Sequence, residues 1–289
     1  RQGRDANGTG GARMTPGKFI PVDGVETHYL EAGARTDAPS VLLLHSAEFG
    51  GAAELSWEFN LDALAEHFHV LAPDHLGFGR SDKLFDFCGQ FDRRIDHIRR
   101  FLELMEVTDA YVIGSSMSGG LSLTVACREA PDWPIRKLVT CSGGGQAVDN
   151  DARAVLNTYD GEAEHMRRIL KVLFVDPKWA ADEAYVARRQ ELARLPGAWE
   201  ATAAARFRAP FRGAPGRSER QSLDYGAIRV PTLVMAGAKD PLRAPGYAQA
   251  LAAEIPAAEL YVFENAAHMG NIECAEEFNA EVIRFLKEK

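Results

Sequence analysis

A serine in a strand-to-helix turn is the residue with the clearest chemical potential, and it lies within residues 110–121, AYVIGSSMSGGL. The apolar run predicts a strand that ends at Gly114, and a helix is predicted to begin at Met117. A serine at the tip of so sharp a turn projects its hydroxyl above the sheet, and small neighbours tolerate the strained backbone. We favour Ser116 over Ser115 as the nucleophile because Gly114 then stands two residues before it.

This turn departs at one position from the G-x-S-x-G pattern that is typical of a nucleophilic serine. It reads Gly114-Ser115-Ser116-Met117-Ser118, so a serine replaces the final glycine. A turn between strand and helix that is rich in small residues and has no chemistry is therefore an open alternative. If Ser116 is the nucleophile, the N–H of Met117 at the start of the helix is placed to stabilise an oxyanion.

An orienting acid and a general base follow the serine along the chain, in the order Ser, Asp, His that is known for such sites. Asp240 comes after an apolar run at residues 232–235, and His268 comes after another at residues 260–263. Each is therefore predicted at the C-terminal end of a strand. A lone aspartate is often a helix cap and a lone histidine is often structural. Their joint order and context favour a catalytic triad with Ser116.

The loop after the first predicted buried strand offers a second oxyanion donor. This loop begins at His45 and reads HSAEFGG, and Ala47 is the preferred N–H donor, with Glu48 next. A carboxylate at Glu48 opposes negative charge there unless it points away or is protonated, and a solvent-facing or turn-capping role is the plainer alternative. The apolar wall of a pocket is predicted from four side chains: Trp57, Phe49, Met117 and Met269.

The elements that position these residues predict an α/β fold with a mostly parallel sheet. Short apolar runs alternate with helix-length amphipathic stretches, after a hairpin that turns at Asp23 and Gly24. Residues 146–222 predict helices without a core strand, so we expect a helical lid inserted between core segments 14–145 and 223–289. Residues 1–13 are Gly-rich and polar, and are interpreted as a tail or an expression remnant.

Composition narrows the class of protein. The 289 residues are 46% hydrophobic and 26% charged, which is typical of a globular chain with a buried core. The net charge of −8 argues against nucleic-acid or anionic-membrane partners. There is no apolar run of ~20 residues, no signal-peptide layout and no metal-type cysteine spacing. We therefore expect a cytoplasmic protein that acts on a small molecule without metal or organic cofactor, and self-assembly stays open.

Five motifs together resemble the α/β-hydrolase fold family across residues 19–287. They are HSAEFGGA at His45, DHLGFGRSD at Asp74, GSSMSGG at Gly114, GAKDPL at Gly237 and AAHMGNIECAEEFN at Ala266. The resemblance implies a mostly parallel sheet flanked by helices, an inserted lid, and the triad of Ser116, Asp240 and His268. Because this fold serves many reactions, it does not by itself fix the substrate.

A narrower resemblance is to the meta-cleavage product hydrolases, which cut carbon–carbon bonds in ring-fission products of aromatic compounds. It rests on Trp57 with Asn60, on the run HFHVLAPDHLGFGRSDK and on the closing EEFNAEVIRFL. The resemblance implies a 2-hydroxy-6-oxo-dienoate substrate and a lid arginine that pairs with its carboxylate. In this sequence Arg189 is preferred for that role and Arg188 is the alternative.

The chain departs from that family at positions that shape the pocket. Ser46 replaces a glycine after the loop histidine, Ser115 replaces an asparagine before the nucleophile, and Met269 replaces a tryptophan after the base histidine. The asparagine after Trp57 is also shifted by one residue, to Asn60. A carboxylesterase or lactonase with the same triad is therefore an alternative function. A non-hydrolytic ligand receptor on the same fold is a second alternative.

Overall fold

An eight-stranded sheet is the framework of the computed structural model, which describes residues 15–87, 89–145, 148–207 and 223–288. The strands are β1 (Lys18–Val22), β2 (Val25–Ala32), β3 (Ser40–Leu44), β4 (Val70–Pro73), β5 (Ala110–Ser115), β6 (Ile135–Cys141), β7 (Thr232–Gly237) and β8 (Ala258–Phe263). Their order is β1-β2-β4-β3-β5-β6-β7-β8. β1 and β2 form the predicted hairpin, β2 also runs antiparallel to β4, and all other pairs are parallel.

Helices cover both faces of the sheet. They are α1 (Ala53–Ser56), α2 (Leu61–Ala65), α3 (Gln90–Leu104), α4 (Met117–Ala126), α5 (Asp151–Asn157), α6 (Ala163–Leu173), α7 (Lys178–Ala181), α8 (Glu183–Ala193), α9 (Ala198–Ala204), α10 (Tyr247–Glu254), α11 (Gly270–Glu273) and α12 (Ala275–Lys287). In β3, Leu42 and Leu44 face α3, α4 and α10, whereas Val41 and Leu43 face α2 and α12. This alternation explains the continuous apolar run, because a strand covered on both faces has no solvent side.

The C-terminal ends of the parallel strands lie side by side. Leu44 at the end of β3 pairs with Gly114 of β5, and Ser115 pairs with Cys141 at the end of β6. Gly237 at the end of β7 pairs with Phe263 at the end of β8. The loops that follow these strands therefore meet along one edge of the sheet, which is where ligands bind in folds of this kind.

Between β6 and β7, described residues 148–207 form five α-helices, α5 to α9, which are called here the helical insertion. Their apolar side chains form a cluster with residues of the loops at the C-terminal edge of the sheet, including Phe49, Leu242 and Met269. The insertion thus covers the edge where those loops meet. The predicted tail, residues 1–13, and the last part of the predicted lid, residues 208–222, lie outside the described residues. No helix within the described ranges is long and apolar enough to span a bilayer.

Candidate active site

Ser116 stands alone at the tip of the turn between β5 and α4. Its φ of +52° and ψ of −110° are strained for a residue with a side chain, at a cost of about 1–3 kcal/mol. The Ser116 N–H donates to the Cys141 carbonyl at 2.8 Å. A Cβ on Gly114 would lie 2.6 Å from the Gly119 nitrogen, so only glycine lets the strand and the helix approach this closely. The small residues of the motif therefore hold the serine in its strained position.

Ser116, His268 and Asp240 form a continuous chain of hydrogen bonds. His268 Nε2 lies 2.7 Å from Ser116 Oγ, and His268 Nδ1 lies 2.7 Å from Asp240 Oδ2. Burial opposes ionisation of Asp240, but the contact with His268 outweighs it, so the pKa of the carboxyl lies below its ordinary value. An ionised Asp240 accepts the Nδ1 proton, which leaves Nε2 to accept the proton of Ser116. The arrangement is suited to activating a hydroxyl nucleophile.

The loops that carry the acid and the base touch each other and the helical insertion. A Cβ on Gly237 would lie 1.9 Å from the Ala267 carbonyl oxygen, so the ends of β7 and β8 approach closely. The backbone N–H of His268 donates to the carbonyl of Leu173, the last residue of α6, at 3.1 Å. The insertion therefore fixes the backbone beside the histidine as well as covering the site.

Two backbone amides have the position expected of oxyanion donors. Met117 is the first residue of α4 and Ala47 lies in the loop after β3, next to the turn of β5. Across the described ranges, neither N–H has a hydrogen-bond acceptor. Both amides are therefore available to an oxygen above Ser116, and the role of Met117 and Ala47 as oxyanion donors stays a prediction.

Glu48 occupies a position that the sequence did not predict. It is buried, accepts a hydrogen bond from the Ser46 hydroxyl, and pairs through Oε1 with Arg189 Nη1 at 2.6 Å. Burial opposes its ionisation, but Arg189 and Ser46 outweigh that effect, and the pKa of Glu48 lies below its ordinary value. The carboxylate is thus ionised and neutralised by a guanidinium, and it neither faces solvent nor needs a proton.

The two arginines predicted to meet the substrate carboxylate both bind protein carboxylates. Arg189 is fully buried and also donates to the Tyr185 hydroxyl at 3.0 Å. Arg188 pairs with Glu58 at 2.5 Å. A Cβ on Gly50 would lie 2.3 Å from the Arg189 carbonyl oxygen, so α8 rests directly on the loop after β3 and brings Arg189 to Glu48. The structure therefore corrects the expectation that either side chain is left free for a ligand.

Two residues predicted to line the pocket belong to the core instead. Trp57 is completely buried and packs against Phe278 of α12, with ring centroids 6.2 Å apart. Asn60 is also buried, and its amide donates to the Asn271 carbonyl and to Asn279 Oδ1 at 2.9 and 2.8 Å. Both side chains are therefore engaged by α11 and α12, although they follow the loop closely in sequence.

Three other predicted pocket residues lie close to the site. Phe49 and Met269 are buried where the helical insertion meets the loops, and the Met269 sulfur lies 4.0 Å from Ser46 Oγ. Ser115 is the buried last residue of β5, and its hydroxyl has no hydrogen-bond partner among the described residues. Where the resembling family has an asparagine and a tryptophan, this chain thus offers an unpartnered hydroxyl and a thioether.

Ser118, which replaces the final glycine of the motif, connects three loops. Its hydroxyl donates to the His45 carbonyl and accepts from the ring Nε2 of His75 at 2.7 Å. The backbone N–H of His75 in turn donates to the ring Nε2 of His45 at 3.0 Å. Burial holds the pKa of His75 well below its ordinary value, so the ring is neutral. This network ties the start of α4 to the loop that carries Ala47. The serine in place of the usual glycine was the sequence signal for this hydrogen-bond network.

Two arginines near the site, Arg94 and Arg206, were also missed by the sequence analysis. Arg94 lies on the buried face of α3 with Ile95 and Ile98. An arginine within the apolar stripe of a helix was a signal that could have revealed it. Arg206 follows α9 and offered no comparable pattern.

Comparison with known proteins agrees with this architecture. A family model described as the alpha/beta hydrolase fold matches residues 39–275. The 2-hydroxymuconate semialdehyde hydrolase of Pseudomonas sp. strain CF600 is 30% identical over 94% of both chains. The 2-hydroxy-6-oxo-6-(2'-aminophenyl)hexa-2,4-dienoic acid hydrolase of Metapseudomonas resinovorans is 30% identical over 94% of this chain and 91% of its own.

A solved structure gives the same result. The meta-cleavage product hydrolase from Pseudomonas fluorescens IP01 superposes with a TM-score of 0.80 at 26% identity, covering 93% of this chain and 97% of that chain. The predicted resemblance to meta-cleavage product hydrolases is therefore confirmed at the level of sequence and fold. The chain is a hydrolase that belongs to the α/β-hydrolase family.

Proposed function

We propose that the protein is a serine hydrolase in which Ser116 is the nucleophile, His268 the general base and Asp240 the group that orients it. The observation that carries the proposal is the hydrogen-bonded chain through His268, with both distances at 2.7 Å. It lies at the edge of the sheet, under the helical insertion and beside two amide N–H groups that have no acceptor among the described residues. This combination supplies a base, a nucleophile and an oxyanion site within one enclosure.

In the proposed reaction, His268 Nε2 takes the proton of Ser116 as Oγ adds to a carbonyl carbon. The N–H groups of Met117 and Ala47 stabilise the resulting oxyanion. When the tetrahedral intermediate collapses, the leaving group departs with the bonding electrons and receives the proton from His268. Water, deprotonated by His268, then hydrolyses the acyl group from Ser116. The alternative in which His268 activates water directly uses the same residues.

For the substrate we propose a 2-hydroxy-6-oxo-dienoate. This rests on relatives that are named hydrolases of 2-hydroxymuconate semialdehyde and of an aminophenyl 2-hydroxy-6-oxo-hexadienoic acid, both 30% identical. In such a substrate the dienol is first ketonised, and the nucleophile then adds to the distal carbonyl. The carbon–carbon bond breaks, and its electrons pass to a dienolate fragment that takes up the proton from His268.

A carboxylesterase or lactonase is the second candidate function. It is favoured by the engagement of both arginines of α8, since Arg189 pairs with Glu48 and Arg188 with Glu58. Met269 further removes a polar group from the position beside the base. An enzyme with these features needs no carboxylate on its substrate, and would accept a small neutral ester.

The nucleophile is tested with a fluorophosphonate probe and with turnover of a 2-hydroxy-6-oxo-dienoate and a short 4-nitrophenyl ester. We expect Ser116→Ala to abolish labelling and turnover, whereas Ser115→Ala still labels because its hydroxyl is buried at the end of β5. Turnover of the dienoate alone supports carbon–carbon hydrolysis, and turnover of the ester alone supports the second candidate. A wild-type protein that neither labels nor turns over would contradict the proposal in favour of a ligand receptor.

A further inference from the structure

Arg94 is a buried cation whose hydrogen-bond partners, within the described part of the chain, are all neutral. Only 8% of the residue is exposed, and its guanidinium carbon lies 5.1 Å from the centroid of the Phe78 ring. Nη1 lies 3.2 Å from the Met117 sulfur and Nη2 donates to Gln90 Oε1 at 2.9 Å. Nε has no partner among the described residues. Arg94 therefore brings a positive charge to the residue that follows Ser116.

Arg206 is a second cation, and it stacks on a side chain of the loop after β3. Its guanidinium carbon lies 4.6 Å from the centroid of the Phe49 ring, in the loop that carries Ala47. Nε donates to Asn157 Oδ1 at 3.1 Å, and Nη1 donates to the Thr202 carbonyl at 3.0 Å. These partners are neutral as well. The two cations thus contact the side chain of Met117 and that of Phe49, which lies two residues after Ala47.

Among the described residues, the charge of this pair is poorly compensated. Burial lowers the pKa of Arg94 to about 10, Asp86 opposes that effect, and Arg206 adds to it. Asp86 already forms an ion pair with Arg93 at 2.7 Å. Burial, with the nearby charge of Arg153, lowers the pKa of Arg206 to about 10 as well. Both groups stay charged at neutral pH, in contrast to Arg189, whose charge is cancelled by Glu48.

We infer that Arg94 and Arg206 form a subsite for a carboxylate on the substrate, so that the enzyme acts on carbonyl compounds that are also acids. Guanidinium groups bind carboxylates through charge-assisted, often bidentate hydrogen bonds. The net charge of −8 repels an anionic substrate from the molecule as a whole, whereas the two arginines attract it at the site. The inference rests on the proposed function for the position of the reacting carbonyl, and it assigns recognition to residues outside α8.

The test compares two esters that differ in charge, 4-nitrophenyl hydrogen glutarate and the neutral 4-nitrophenyl butyrate. Losing a charged hydrogen bond in a buried site lowers kcat/KM for the anionic ester by about ten- to a hundredfold. We expect the ratio of kcat/KM for the anionic ester to kcat/KM for the neutral ester to fall by this factor in Arg94→Met and in Arg206→Met. Arg167→Met is the matched control, because Arg167 pairs with Glu183 on the surface of the insertion. An unchanged preference in both arginine variants would overturn the inference.

A binding measurement separates the subsite from the catalytic proposal. Isothermal titration of the same two esters into Ser116→Ala needs no turnover, and we expect tighter binding of the anionic ester, lost when Arg94→Met is added. If the wild-type protein cleaves neither ester but Ser116→Ala still binds the anionic one in this way, the hydrolase proposal fails and the subsite stands. Should Arg94→Met not fold by circular dichroism, Arg94→Lys replaces it. That variant keeps the charge, so it must keep a preference for the anionic ester for the inference to stand.

Discussion

The buried ion pair between Arg189 and Glu48 makes a strong prediction for the variant Arg189→Met. The side chains are 0% and 2% exposed, so the substitution leaves an ionised carboxylate buried, with the Ser46 hydroxyl as its remaining side-chain partner among the described residues. Breaking a buried pair from one side costs about 3–5 kcal/mol. Since domains are stable by about 5–15 kcal/mol, we expect Arg189→Met to lose a large fraction of the free energy of unfolding.

The pH dependence of this loss follows from the Glu48 carboxyl. In the wild-type protein its folded pKa is lowered, so it contributes stability above the unfolded pKa and loses it as the pH falls through the folded value. Without Arg189, we expect burial to outweigh the remaining hydrogen bond from Ser46 and to raise the folded pKa of Glu48. The native variant then binds more protons than the unfolded chain at intermediate pH. We therefore expect the deficit to shrink as the pH is lowered from about 8 to about 5.

The assay is urea unfolding followed by tryptophan fluorescence across that pH range. Arg188→Met is the matched control, because Arg188 is half-exposed and its pair with Glu58 contributes about 0–1 kcal/mol. The double variant Glu48→Gln and Arg189→Met should recover much of the lost stability, since it removes the unpaired charge. If Arg189→Met is no less stable than Arg188→Met and has the wild-type pH slope, the pair does not neutralise Glu48 as argued.

Two further predictions concern the packing of the loops around Ser116. Ser118→Ala removes the hydroxyl between His45 and His75 and leaves buried polar atoms unpaired. We expect the free energy of unfolding in urea to fall by about 1–3 kcal/mol and kcat to decrease. Wild-type values for both quantities would contradict a positioning role. Gly50→Ala places a Cβ 2.3 Å from the Arg189 carbonyl at a φ of +77°. We expect a lower thermal midpoint and weaker turnover, and unchanged values would show that α8 does not constrain this loop.

Much of the fold and the central part of the candidate site could be predicted from the sequence. Strand and helix periodicity is local, so residues 110–121 alone indicate a strand, a turn and a helix. Strands that run in parallel end at one edge of the sheet, and polar residues that follow them are brought together whatever their separation along the chain. This explains why Ser116 and His268 could be predicted to meet although they are 152 residues apart in sequence. In the structure, Ser116 Oγ and His268 Nε2 lie 2.7 Å apart.

Other features were decided only by the tertiary structure. Whether an arginine of α8 faces a ligand or a carboxylate depends on where the helix rests, and it rests on the loop that holds Glu48, 141 residues away. Trp57 and Asn60 follow the same loop in sequence, but they are buried against α11 and α12. By itself the sequence determined the elements and the order of the chemical groups, because both follow from local pattern and chain direction. Which charges are neutralised and which are left for a ligand was set by packing between distant segments, because local periodicity does not specify it.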